Sequence, residues 1–246
     1  MKAALIGDVH ANLPALRAVL DHAREQGATS IWNTGDLVGY GAYPREVIQQ
    51  IQGEEALSTI GSYDQQVLRF KKRQKRWRRK KRVEEYAALE WTYNQLAKKD
   101  RKYLRFLSQE VRMTVKGRRV LLLHGCPGPS AKSVGAKEPT KALVALASEA
   151  GADLIVCGQS HKPSARQVNG CWFINPGSVG LPVDGDPRAS YALLAVSLEE
   201  VKVQHHRVGY DMDKMVATLR DNRLPEAFAE MFQQGLDLEA VLAPTR

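Results

Sequence analysis

The chain has 246 residues, 43% of them hydrophobic and 26% charged, and carries a formal net charge of +9. Its length is enough to bury a substantial core, and its composition is that of a globular protein, with no run near the ~20 apolar residues that a membrane span needs. The apolar residues before Asp8 are too few for a secretory segment, and the three cysteines, Cys126, Cys157 and Cys171, include no C-x-x-C pair and cannot all pair within the chain. We therefore expect reduced thiols, a cytoplasmic setting and no membrane partner.

Lys2 to Ile6 reads as a buried strand that stops at Gly7, before a loop carrying Asp8 and His10. Asn12 suits the N-cap of a helix and Pro14 its first turn; Leu13, Leu16, Val19, Leu20 and Ala23 keep helical spacing until Gly27. A second strand, Ser30 to Thr34, ends at Gly35-Asp36. A helix from about Pro44 to Gln52 and a short strand around Leu57 to Ile60 repeat the pattern, ending at Gly61-Ser62-Tyr63-Asp64.

From about residue 65 to residue 108 only helical spacing appears, with Asp100 as an expected cap, which predicts a helical insert. Lys116-Gly117 and Asn169-Gly170 mark two hairpins, the first ending at His124-Gly125. Between them lie a helix from Pro139 to Ala150 and a strand from Asp153 to Cys157 that stops at Gly158-Gln159-Ser160-His161. Ala189 to Val196 and Val201 to Val208 form a third hairpin, and helices at about 211–234 follow. Strands alternating with helices early and hairpins late predict an α/β fold with mixed sheets flanked by helices, arranged as one domain over residues 1–246.

Every polar cluster in this series follows a strand, and ligands of open α/β sheets bind at the carboxyl ends of strands. Asp8 and His10 are two apart and so project to one side, where they can chelate a cation. Their mixed oxygen and nitrogen donors suit Mn, Fe, Ni or Zn better than Ca. A lone Asp after a strand is more often a cap and a lone His a satisfied polar group, so it is the ordered set that points to chemistry.

That set, Gly7-Asp8-Val9-His10, Gly35-Asp36, Gly61-Ser62-Tyr63-Asp64, His124-Gly125 and Gly158-Gln159-Ser160-His161, resembles the calcineurin-like metallophosphoesterases. Their motifs run GDxH, GD, GNH[DE], histidine-glycine and GHxH in the same order. Within that family the chain is similar to the small bacterial and archaeal phosphodiesterase branch with tyrosine in the third motif. Gly35 to Gly41 and Asn175 to Gly180 add to the likeness.

The resemblance implies two mixed β-sheets packed as a sandwich flanked by helices, a four-layer fold, and metal-dependent hydrolysis of a phosphoester, here a phosphodiester, by a metal-activated hydroxide. It implies a first metal held by Asp8, His10, Asp36 and His161, with Asp36 bridging to a second held also by His124. Ser62 stands where the family has asparagine and Gln159 where it has histidine, so the second position is expected to be weaker. Tyr63 stands where the family's phosphate-orienting histidine would be, and Asp36, Tyr63 and His124 are the expected catalytic residues. The alternative is a catalytically weakened module on the same fold that binds metal, protein or nucleic acid.

Eleven of the fourteen residues from Arg69 to Arg82 are Lys or Arg, and without them the net charge falls from +9 to −2. A solvated helix face is the ordinary reading of such a run. So dense a run also suits nucleic acid or another polyanion, with Trp77 placed to stack on a base. Cys126 and Cys157 are alternative thiolate donors or buried small residues. His205 and His206, adjacent on a strand, point to opposite faces and read as structural, while Asp184-Gly185-Asp186 and Arg188 read as a turn, with lining of the pocket as the alternative.

Overall fold

The computed structural model describes residues 1–125 and 138–243. Strand β1 (Lys2–Ile6) leads to helix α1 (Leu13–Glu25), where the Asn12 side chain accepts a hydrogen bond from the Ala15 amide at 3.1 Å. Strand β2 (Ser30–Asn33), helix α2 (Pro44–Gly53) and the two-residue strand β3 (Leu57–Ser58) follow. The last is shorter than expected, since Thr59 makes only an isolated bridge to Ser108.

Three helices occupy the expected insert: α3 (Ser62–Lys80), α4 (Val83–Gln95) and α5 (Lys98–Phe106). Two details differ from expectation. Helix α3 starts three residues early, inside the third motif, because Asp64 in its first turn accepts from the Gly61 amide at 3.0 Å and so closes the N-terminus. Asp100 caps α5 from its third helical residue and not from the residue before the helix: its buried carboxylate accepts from the amide of Ala97, the N-cap, at 2.8 Å and pairs with Arg45 at 3.2 Å.

Strands β4 (Glu110–Val115) and β5 (Arg118–Leu123) form the first hairpin. Helix α6 (Thr140–Ala150), strand β6 (Leu154–Cys157) and the hairpin β7 (Ser164–Val168) and β8 (Cys171–Asn175) come next. Strands β9 (Ala189–Val196) and β10 (Val201–Val208) precede helices α7 (Met212–Asp221), α8 (Glu226–Gln234) and a short α9 (Leu238–Val241), the last unanticipated from sequence.

The strands make two five-stranded mixed sheets, ordered β10-β9-β1-β2-β3 and β4-β5-β6-β8-β7. Side-chain alternation divides the core into layers. Ala3 and Leu5 of β1 meet Leu122, Val156 and Ile174 between the sheets, whereas Ala4 and Ile6 face outward to Leu16, Leu20 and the other helices. On the outer face of the second sheet, Leu121, Ile155 and Phe173 pack under Leu143 of α6. This is the sandwich flanked by helices that the resemblance implies. Among the described residues no helix is long and apolar enough to cross a membrane.

Parallel pairing sets the chemistry-bearing loops side by side. Strands β1, β2 and β3 run parallel, as do β5, β6 and β8. The loops after β1, β2, β5 and β6 therefore leave from the same end of their sheets.

Candidate metal centre

The loop after β1 is pinned to the loop after β2 by backbone bonds from Asp8 to Gly35 O at 2.9 Å and from His10 to Asp36 O at 3.0 Å. Bonds from Val179 to Gly7 O and from Gly180 to Asp8 O hold its other side. Five residues of the anticipated site, Asp8, His10, Asp36, Gln159 and His161, have positive φ, between 45° and 71°. Only eleven described non-glycine residues do so. Such backbone is costly for side chains other than Asn, Asp and His, and it persists where surrounding bonds impose it. Here it turns ligand-type side chains of both sheets toward one point.

Two overlapping groups result. Asp8, His10 and His161 offer atoms within 4.8 Å of one another, and so do Asp8, Asp36 and His124. The Asp36 Oδ2 atom sits between them, 3.2 Å from His124 Nε2 and 3.9 Å from His10 Nε2. His161 Nε2 is 3.5 Å from Asp8 Oδ1 and 3.3 Å from His10 Nε2. By distance Asp8 belongs to both groups, a sharing that the sequence reading assigned to Asp36 alone.

The imidazoles are oriented from behind. The Nδ1 atoms of His124 and His161 lie 3.0 Å from the Thr34 carbonyl and 2.6 Å from the Leu181 carbonyl. A carbonyl can only accept, so each Nδ1 carries a proton and each Nε2 is directed into the cluster. The Nε2 of His124 meets Asp36 as a charge contact without hydrogen-bond alignment, and Asp8 Oδ1 is buried with no hydrogen-bond partner.

The ionisation of the centre follows from burial and neighbours. Burial pushes His10 down to about 3, and His161 beside it acts in the same direction. Burial alone would lower His124 and raise Asp36, but their attraction outweighs it. His124 is lifted to about 10 by Asp36, Asp8 and Asp64, and Asp36 is held well below the usual carboxylate range by His124 and His10. Burial raises Asp8 against the pull of His161 and His124.

The third motif reaches the centre mainly through its backbone. The Tyr63 amide donates to Asp36 Oδ1 at 2.6 Å, and Ser62 Oγ donates to Asp36 Oδ2 at 3.4 Å. The Tyr63 ring lies edge-on to His10, centroids 5.7 Å apart, and burial pushes its phenol well above its ordinary 10. The Gln159 amide donates to Asp8 Oδ2 at 3.0 Å, while its side-chain Oε1 is buried without a partner. Close approach explains the glycines: a Cβ on Gly61 would lie 2.1 Å from the Asp36 nitrogen, and one on Gly158 would lie 2.8 Å from Asp8 Oδ2.

Asn175 to Gly180 brace the centre, a role that their sequence alone does not reveal. Asn175 Nδ2 donates to Gly158 O and to Ser160 Oγ, both at 2.9 Å, holding the loop that carries His161. Ser178 Oγ donates to Asp8 O at 2.6 Å and accepts from the Leu181 amide at 2.7 Å, which ties Asp8 to the residue that orients His161. The signal was present in the Asn-Pro-Gly-Ser run, but its partners are far away in sequence.

The remaining candidates lie elsewhere. Cys157 packs in the apolar layer under α6, and Cys126 lies outside the described residues. His205 bonds the Asn175 carbonyl at 2.8 Å, and His206 stacks on Tyr191 with centroids 5.0 Å apart. Arg188 pairs with Asp186 at 2.7 Å, and Arg207 pairs with Asp184, as turn chemistry requires. Trp77 is half-buried against the helical core with Lys81 over its ring at 5.7 Å, so it is engaged within the protein rather than set out as a base-stacking platform.

Comparison with known proteins agrees with this geometry. The chain is 31% identical to an uncharacterized protein of Methanocaldococcus jannaschii over 94% of this chain and 97% of the relative. It is similar to the crystal structure of a metallophosphoesterase from Sphaerobacter thermophilus, with 28% identity, a TM-score of 0.76 and coverage of 96% of this chain and 99% of that one. A hypothetical protein of Pyrococcus horikoshii OT3 shares the fold at 23% identity, with a TM-score of 0.84 and coverage of 95% and 98%. Residues 1–199 match the calcineurin-like phosphoesterase superfamily domain, and the chain belongs to that superfamily.

Proposed function

We propose that the chain is a divalent-metal-dependent hydrolase of phosphodiesters. The observation that carries this reading is the sharing of Asp8 between the Asp8–His10–His161 and Asp8–Asp36–His124 groups, with Asp36 Oδ2 between His124 and His10. The donor set fits transition metals, because two histidines present Nε2 with Nδ1 already committed to carbonyls, and Asp8 Oδ1 is buried with no hydrogen-bond partner.

Asp8, His10, Asp36 and His161 would hold one ion, and Asp36, Asp8 and His124 a second, with the Ser62 hydroxyl and Gln159 carbonyl as weaker oxygen donors. Bound divalent cations lower the pKa of coordinated water and neutralise charge on phosphoryl oxygens. The protein's own contribution is to keep the ligands oriented through Thr34, Leu181, Asn175 and Ser178. The Tyr63 phenol, held protonated by burial, serves as a hydrogen-bond donor and not as an acid. A second position with Gln159 where the family has a further histidine holds its ion more weakly, and that weaker neutralisation suits the single charge of a diester better than a monoester dianion. The paucity of cysteine supports a reducing, cytoplasmic setting.

Hydrolysis of bis(4-nitrophenyl) phosphate with added Mn²⁺ tests the proposal. Turnover that requires the metal and disappears in Asp36→Ala is expected; turnover unchanged in Asp36→Ala would sink it. The replacement of two family ligands by Ser62 and Gln159 favours a second reading, a metal-binding module without catalysis. One metal equivalent per chain with no diester cleaved at saturating Mn²⁺ would establish that alternative.

A further inference from the structure

Helix α3 starts at the metal centre, where Ser62 and Tyr63 bond Asp36, and continues unbroken to Lys80. At 1.5 Å per residue, Arg69 lies about 10 Å and Lys80 about 27 Å from Ser62 along its axis. One side of this helix is closed: Phe70 meets Tyr86 and Tyr93 of α4, with ring centroids 5.5 Å apart in each case. At 100° per residue the cations Arg69, Lys71, Lys72, Arg73, Lys75, Arg76, Arg78, Arg79 and Lys80 occupy the remaining arc of roughly 220°. All nine are exposed.

Their charge is not balanced locally. Among the described residues none of these cations lies within 4.0 Å of an acidic oxygen, although Glu84, Glu85 and Glu90 sit on the adjoining α4. Exposed Lys98, Lys99, Lys102 and Arg105 of α5 are likewise without an acidic partner and extend the basic character of the insert. Cations held this densely without counter-charge repel one another, and a polyanion relieves that repulsion while releasing its own counterions.

We infer that the exposed ridge of α3 docks on the phosphate backbone of double-stranded DNA, with the helix entering the major groove. Three features select this occupant. An α-helix with its side chains is about 10–12 Å wide, which matches the roughly 12 Å major groove of B-DNA. The deep, narrow major groove of duplex RNA does not admit it. Single-stranded binders depend on stacking platforms, and the one aromatic within the basic run outside the Phe70 contact, Trp77, is engaged by the protein core and Lys81. Docking is independent of catalysis; that it sets DNA phosphodiesters beside the metal centre rests on the phosphoesterase reading.

Fluorescence anisotropy with a labelled 20-base-pair duplex, from about 50 to 200 mM salt, tests the inference on the full chain. The comparison is between wild type and a variant carrying Lys71→Gln, Lys72→Gln, Arg73→Gln, Lys75→Gln and Arg76→Gln, with circular dichroism as the check on folding. Wild type should bind with a steep salt dependence. The variant should bind at least about 10-fold more weakly, its log–log salt slope reduced by up to about 4.5, with hydrolysis of bis(4-nitrophenyl) phosphate unchanged. Should the variant misfold, each single substitution should lower the slope by about 1. Equal binding by the variant, or preference for single-stranded DNA, duplex RNA or polyglutamate, would overturn the proposal. DNA binding without diester hydrolysis supports the ridge and counts against catalysis; hydrolysis without DNA binding does the reverse.

Discussion

The amide of Tyr63 donates a 2.6 Å hydrogen bond to Oδ1 of Asp36, while the other oxygen of the same carboxylate faces His124 Nε2 at 3.2 Å. The start of α3 thus fixes the carboxylate through the main chain, so that the identity of the side chain at residue 63 matters less to its orientation than the position of the helix. Asp36 Oδ2 lies 3.2 Å from His124 in one ligand group and 3.9 Å from His10 in the other, and the consequences of disturbing it follow directly.

Asp36→Ala should reduce Mn²⁺-dependent diester hydrolysis by more than about 100-fold, the upper end of what losing a partner outside the ligand set costs. Steady-state kinetics alongside circular dichroism would check it. A folded variant with undiminished kcat would contradict the assignment.

Strengthening the second position should raise its occupancy. Ser62→Asn and Gln159→His together introduce an amide carbonyl and an imidazole at the edge of the cluster, and we expect metal content after dialysis to approach two equivalents per chain. Elemental analysis decides the matter, and an unchanged metal content would show that these side chains do not reach the ion.

Metal binding should release protons. In the metal-free protein His124 is lifted to about 10, above its ordinary 6.5, by Asp36, Asp8 and Asp64 against the opposing effect of burial. Between those two values it holds a proton that an incoming ion must displace, so affinity should rise with pH across that window. Below about 6.5 the proton is present in folded and unfolded chains alike; the stabilisation that it gives the metal-free fold is full there and fades as pH climbs through about 10. Titration calorimetry in buffers of different ionisation enthalpy would measure the proton. His124→Gln should abolish its release.

Gly61→Ala should damage both fold and centre. The added Cβ would lie 2.1 Å from the Asp36 nitrogen and from its Oδ1, an overlap that only backbone movement relieves. A loss of about 1–3 kcal/mol or more is expected, read as a lowered Tm together with weaker Mn²⁺ binding. Gly53→Ala, where an added Cβ meets nothing within 4 Å, is the control.

Much of this architecture was legible in the chain because its signals are local. The apolar strand of residues 2–6 stopping at glycine, the Asn12 cap and the Lys116-Gly117 turn each act through neighbours a few residues apart, which is the range that periodicity and capping express. The start of α3 and the place of Asp100 were misjudged because the residues that settle them depend on side-chain bonds. Those bonds, from the amides of Gly61 and Ala97 to acidic groups three residues on, are capping bonds in which the acid is the third helical residue and not the residue before the helix.

The order and types of the donors, Asp8, His10, Asp36, His124 and His161, were thus determined by sequence alone, and with them the family. Tertiary structure decided which donors share a point in space, because that depends on two sheets packing face to face and on loops from β1, β2, β5 and β6 leaving at one end. It decided that Asp8 lies in both groups, that Thr34 and Leu181 select the imidazole nitrogens facing inward, and that Asn175 and Ser178 brace the loops. These are contacts between residues up to 170 positions apart, and no local pattern encodes a bond whose partner arrives only when the sandwich closes.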